Sequence, residues 1–143
     1  MSVKGLDKVL KKLSSMSKEI VNEVDEIMEG ASQNIEEDAK VLAPVYSGGL
    51  YVGGSLRQGI KAYKKGDLKY AVEAKEKYSA YIEFGTGGKV NVPTEMQDIA
   101  IQFKGAGVKQ VNIQPQPFLY PSFVKNRTML IKDLKDLLKS KKL

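Results

Sequence analysis

Glu83 is the carboxylate most suggestively placed for chemistry, because it stands in Tyr-Ser-Ala-Tyr-Ile-Glu-Phe-Gly-Thr-Gly-Gly, residues 78 to 88. In that run apolar anchors lead directly into a glycine-rich turn. Tyr78, Tyr81, Ile82 and Phe84 can bury apolar surface, while Gly85, Gly87 and Gly88 allow backbone angles that a side chain forbids. A charge in such a setting is either solvated on the outer side or held by a partner. A partly buried carboxylate beside a lysine can also serve as a base, but no positive feature of the chain supports that use of Glu83.

Two other constellations invite chemistry and fail on spacing. Gly85-Thr86-Gly87-Gly88-Lys89-Val90 superficially resembles a phosphate-binding loop. That motif, however, needs four residues between its first glycine and Gly-Lys, with Ser or Thr following; position 83 is Glu and position 90 is Val. Glu36-Glu37-Asp38 is a run of carboxylates, yet consecutive helical positions fan out by about 100° each and cannot converge on one ion. The chain has no histidine and no cysteine. It therefore lacks the commonest general base, the His-paired nucleophiles and the thiolate or imidazole zinc sites. Neither an enzyme nor a cofactor-binding protein is expected.

The elements that must position these residues follow from hydrophobic periodicity. Ile20, Val24, Ile27, Ala31, Ile35, Ala39 and Leu42 recur at spacings of three and four, which predicts one long helix from about Ser17 to Ala43, ended by Pro44. A shorter amphipathic segment with Leu6, Val9, Leu10 and Leu13 precedes it. Leu56, Ile60 and Ala62 alternate with Arg57, Lys61 and Tyr63, and Leu68, Tyr70, Val72 and Ala74 alternate with polar neighbours. Joined by a turn at Lys65-Gly66-Asp67, these stretches predict a hairpin. Residues 78 to 84 fit a strand or a short helix equally well. Thr94 and Gln97 have capping-box spacing before Met96, Ile99, Ala100 and Phe103, and Val108 to Gln114 reads as a strand. Three prolines between Gln114 and Pro121 predict an extended strap over the core, anchored by Pro117, Phe118 and Pro121, in preference to a polyproline ligand. A closing helix carries Leu130, Ile131, Leu134, Leu137 and Leu138 on one stripe.

The expected class is α+β, with the long N-terminal helix and the C-terminal helix packed on one face of a small antiparallel sheet. One domain over residues 1–143 is expected: 1–44 helical, 54–76 hairpin, 77–115 loop, short helix and strand insertion, 116–143 strap and helix. The longest uncharged stretch, Val41 to Leu56, is broken by Pro44 and four glycines, so it reads as a loop and not a membrane span. Nor does the N-terminus carry the apolar core of a cleaved signal peptide, and a soluble chain is expected. Net charge is +6, unevenly spread: residues 1–43 are net −3, residues 44–124 net +4 and residues 125–143 net +5. A lysine-rich face with almost no arginine reads first as a solvated surface, and Asp133 and Asp136 interrupt it too regularly for a membrane-surface helix.

Three segments in order, Ala39-Lys40-Val41-Leu42-Ala43-Pro44, Tyr81-Ile82-Glu83-Phe84-Gly85-Thr86 and Gln116-Pro117-Phe118-Leu119-Tyr120-Pro121, carry a resemblance that Gly5-Leu6-Asp7 and Gly54 to Ile60 extend. The chain resembles the small tail-completion, or head-to-tail joining, proteins of long-tailed double-stranded DNA bacteriophages and prophages. The resemblance implies a non-enzymatic virion component at the neck, present in the host cytoplasm during assembly. It implies self-association into a ring, commonly sixfold, that contacts neck proteins and the tail tube, with DNA present only as the contents of the channel. The expected contact elements are the Val45 to Gly54 loop, with Tyr46, Leu50 and Tyr51, and the Gly85 to Val92 loop, with Gly85, Thr86 and Gly87. Glu83 beside them is expected as a structural or contact carboxylate. The competing expectation is a small DNA-binding protein that uses the Lys125 to Lys142 face.

Overall fold

The computed structural model describes residues 17–45, 54–87, 91–100 and 113–142, together with positions 5, 7, 8, 11 and 15. The early segment around Leu6 to Leu13, the loop residues Tyr46, Leu50 and Tyr51, Phe103 and the Val108 to Asn112 stretch lie outside these residues.

Helix α1, Lys18–Leu42, is the spine. Its length matches the apolar stripe, with Ser17 and Ala43 as the flanking residues. Val24, Met28, Ala31, Ile35 and Ala39 are buried along it. The stripe is rotated slightly from the expected one: Met28 and Ser32 are inside, whereas Leu42 is half exposed because the helix outruns its cover. Ser32 satisfies its hydroxyl by donating to the Glu29 carbonyl one turn back, at 2.7 Å.

The stretch expected as a first strand divides in two. Ser55–Gly59 forms a one-turn helix, α2, and β1 begins only at Ile60. Leu56 and Ile60 are four apart and both are buried, so the same two residues satisfy a helical turn as well as an alternation. Strand β1, Ile60–Gly66, pairs antiparallel with β2, Lys69–Ala74, with Ala62 opposite Val72 and Lys64 opposite Tyr70. The register slips between Lys64 and Gly66. At the turn Leu68 takes a φ of 52°, which a branched side chain disfavours. It is held there because its side chain packs against the cluster of Val24, Met28 and Leu134.

Residues Ser79–Phe84 form a short helix, α3, which decides between the two expectations for that segment. Thr94 opens a 3₁₀ turn through Met96 behind Pro93, with no side-chain cap, so the Thr94–Gln97 box does not form; the short helix α4, Gln97–Ala100, follows. Ile113 and Gln114, the end of the expected strand, lie in irregular backbone. Helix α5, Leu119–Ser140, closes the described chain, with Pro121 in its first turn, where a missing N–H costs nothing.

The architecture is α+β, as the patterning predicts. One face of the two-stranded sheet is covered directly by α1, and α5 runs along α1, meeting Leu68 and Tyr70 of the hairpin at the cluster of Val24, Met28 and Leu134. A second cluster joins Ala39, Ala43, Leu56, Ile60 and Phe118. Phe118 is therefore the strap's anchor, while Pro117 stays exposed.

Candidate functional site

The Glu83 region resolves into a joint. Helix α3 carries Ile82 into the Phe118 cluster and buries Glu83 to 6 % exposure. Gly85 follows with φ 76°, an angle that glycine adopts without strain, and reverses the chain direction. Thr86 then binds the strap in both directions: its N–H donates to the Ile113 carbonyl at 3.1 Å, and its hydroxyl accepts the Ile113 N–H at 2.9 Å. Gln116 N–H reaches the Ile82 carbonyl at 2.8 Å. Gly87, with φ 63°, is exposed at the end of this turn.

Glu83 itself holds the start of α5. Its Oε2 accepts the N–H groups of Phe118 at 2.9 Å and Leu119 at 3.0 Å, and its Oε1 accepts that of Tyr120 at 2.8 Å. Phe118 occupies the N-cap position and has no side-chain oxygen to give. A helix start leaves its first N–H groups without intrahelical partners, and its dipole favours negative charge there. Glu83 supplies both needs from 35 residues away in the chain. Ser122, one turn in, donates to the Phe118 carbonyl at 2.6 Å. Both oxygens of Glu83 are thus committed to backbone amides of the helix start.

Four carboxylates of α1, Glu23, Asp25, Glu36 and Asp38, are structural ties. Asp38 accepts from Lys125 at 2.9 Å and from the buried Asn126 at 2.8 Å, fastening α1 to α5, and these bonds lower its pKa. Glu36 is lowered by Lys40 and then by the Ala62 N–H, which it accepts at 2.6 Å. Asp25 is lowered chiefly by Lys64, 2.6 Å away on the hairpin. Lys141 donates to Glu23 at 2.8 Å, which raises its pKa. Lys125 on α5 and Lys141 just past its end are thus already paired with carboxylates of α1. Among the described residues no group of three His, Cys, Asp or Glu side chains could hold a metal ion, and no helix is long and apolar enough to cross a membrane.

The surface with the marks of an interface lies where α1 ends. Val41 is 77 % exposed and Leu42 50 %, and Val45 continues the strip. Arg57 donates to the Ala43 carbonyl at 2.9 Å, and Ser55 in the same turn bonds the Tyr78 hydroxyl at 2.6 Å. These bonds bring the ends of the 45–54 segment to the aromatic edge of α3, where Tyr78 and Tyr81 are exposed. Scattered exposed apolar residues are ordinary; a gathered set of them is a candidate contact surface. The local sequence holds part of the signal: Leu42 ends the helical stripe, and Val41 is an apolar residue that lies off it.

A family model with the description "HK97-gp10-like: Bacteriophage HK97-gp10, putative tail-component" matches residues 7–85, 79 of the 143 positions. No curated protein and no solved structure matches. The matched span takes in α1, the hairpin and α3, and ends two residues beyond Glu83.

Proposed function

The chain belongs to the HK97-gp10-like family of bacteriophage tail components, and from that premise we propose that it completes the tail at the end that meets the DNA-filled head. It acts through protein contacts in a ring with its own copies, between neck proteins above and the tail tube below, and DNA is only the contents of the channel. Joining is its task, and it has no cofactor. The observation that carries this reading is the exposed apolar strip Val41, Leu42 and Val45 beside Tyr78 and Tyr81. In the sequence that strip runs directly into the segment containing Tyr46, Leu50 and Tyr51, and Gly85-Thr86-Gly87 directly follows α3.

The test is complementation of a phage that lacks this protein. Val41→Asp combined with Leu42→Asp leaves the fold intact, because both side chains already face water, and leaves full heads and finished tails unjoined. Deletion of Tyr46 to Val52 gives the same result. Infectious particles at normal titre from both variants, with folded protein in each, would remove this surface from the joint.

A further inference from the structure

A groove runs between α1 and α5, about 420 Å³ in volume. Gly30, Ala31 and Ile27 from α1 and Leu130 and Met129 from α5 give it an apolar floor, and Glu26, Asp133 and Asp136 stand around it. Among the described residues that line it there are three carboxylates and no cation. Gly30 leaves it open: a Cβ there would meet nothing within 4 Å. Met129 is half exposed at its side.

The outer face of the hairpin has the opposite character. α1 covers the side that carries Ile60, Ala62 and Val72, so the alternate positions Lys61, Tyr63, Ala71 and Glu73 face away from the core, and Lys65, Lys69 and Lys75 are exposed around them, four lysines to one glutamate. Tyr63 is exposed at the centre of this face, and its pKa is raised by the neighbouring Glu73. The two surfaces lie on different faces of the molecule. On α1 the residues tied to the sheet are Asp25 and Glu36, whereas the groove residues are Gly30 and Asn34. At about 100° per residue, Gly30 and Asn34 lie roughly 120–180° around the helix from Asp25 and Glu36.

We propose that the outer hairpin face of one copy of this chain docks in the α1–α5 groove of the next, with Tyr63 over the Met129–Leu130 floor and the lysines against Glu26, Asp133 and Asp136. Charge complementarity selects this occupant: the described residues lining the groove include three carboxylates and no cation, while the outer hairpin carries Lys61, Lys65, Lys69 and Lys75 against the one Glu73. Such a contact is heterologous, so each copy offers one surface to the copy before it and another to the copy after it, and the chain of contacts closes when the rotation permits. The proposal rests on the ring assembly described above and gives that ring its contact.

The test uses two charge-reversed full-length chains in sedimentation velocity at up to about 1 mM, the weak limit of specific association. One carries Glu26→Lys, Asp133→Lys and Asp136→Lys; the other carries Lys65→Glu, Lys69→Glu and Lys75→Glu. Each alone associates at least about tenfold more weakly than wild type, since rim attraction becomes repulsion. Mixed in equal amounts they associate again, because each reversed surface meets its complement in alternation. Wild-type association weakens as salt is raised through the range where the Debye length falls below about 8 Å. Circular dichroism confirms that both variants are folded; if either is not, the neutral set Glu26→Gln, Asp133→Asn and Asp136→Asn, paired with Lys65→Gln, Lys69→Gln and Lys75→Gln, replaces them, with weakened association expected in each.

A monomeric wild type, or reversed chains that associate as wild type does, overturns the proposal. So does a groove-reversed chain that self-associates normally but fails to join heads to tails, because the groove then serves another tail protein. Failure of the Val41 and Leu42 variant to affect joining bears on the tail-completion reading alone and leaves the self-association result standing.

Discussion

Replacing Glu83 by alanine removes the acceptor for three backbone amides at once, which makes it the most severe single truncation of a polar side chain expected among the described residues. The Phe118 amide is buried and the Leu119 and Tyr120 amides are half-buried. An unsatisfied buried N–H costs about 1–3 kcal/mol, and one that water can partly reach costs less. Taking about 2 kcal/mol for Phe118 and about 1 kcal/mol for each of the others, Glu83→Ala loses about 4 kcal/mol, well above the ~0.5–2 kcal/mol of an ordinary N-cap. Glu83→Gln keeps one acceptor oxygen and removes the charge at the helix start, so it loses about 2 kcal/mol. Urea unfolding followed at 222 nm should place the midpoints in the order wild type, Glu83→Gln, Glu83→Ala, with an unchanged slope. The alanine variant should melt roughly 10–20 °C lower. Amide exchange at Leu119 and Tyr120 should rise in both variants before it rises in the middle of α1. An alanine variant within about 0.5 kcal/mol of wild type would refute the claim that this carboxylate fastens α5, since that is the scatter of ordinary surface substitutions.

Two further predictions follow from the same geometry. Asp25, Glu36 and Asp38 all have pKa values lowered in the folded protein, by Lys64, Lys40 and Lys125 respectively as the leading causes. Their stabilisation is therefore complete above the unfolded carboxylate range near 4 and is lost as pH falls through the lower folded values; urea midpoints should be flat from pH 7 to 5 and drop below about 4, less steeply in Asp38→Asn. Gly30→Ala should raise stability by about 0.5–1 kcal/mol, because the position is helical and the added methyl enters open space; a lower thermal midpoint would contradict the open groove.

The parts of the fold legible in the sequence are those fixed by nearest neighbours along the chain. The α1 stripe from Ile20 to Ala39 reads directly as a helix bounded by Ser17 and Pro44, and the Leu68 to Ala74 alternation reads as a strand. Local rules fail where a segment satisfies two periods at once: Leu56 and Ile60 suit both a strand and the turn of α2 that they in fact form. They fail again where the partner is distant. Glu83 shows in the sequence as a charge that needs an explanation, but the amides that explain it begin 35 residues later. One trace was present on the other side of the bond. The closing helix starts at Phe118-Leu119-Tyr120-Pro121 with no Ser, Thr, Asp or Asn at its head, so its free N–H groups had to find an acceptor elsewhere. The exposed strip at Val41 and Leu42 was half legible, since the stripe could be followed but not the point at which its cover ends.

The bond from Glu36 to Ala62 bears on what can add to the edge of the sheet. A two-stranded sheet has two open borders, and an open border invites a foreign strand to add to it. On β1 the outward N–H of Ala62 is already taken by a carboxylate from α1, with Lys40 and Lys61 close beside it. A strand approaching that border would meet an occupied donor and a cluster of charges. Strand addition along β1 is thereby opposed at Ala62, and any contact this side of the sheet makes is left to side chains.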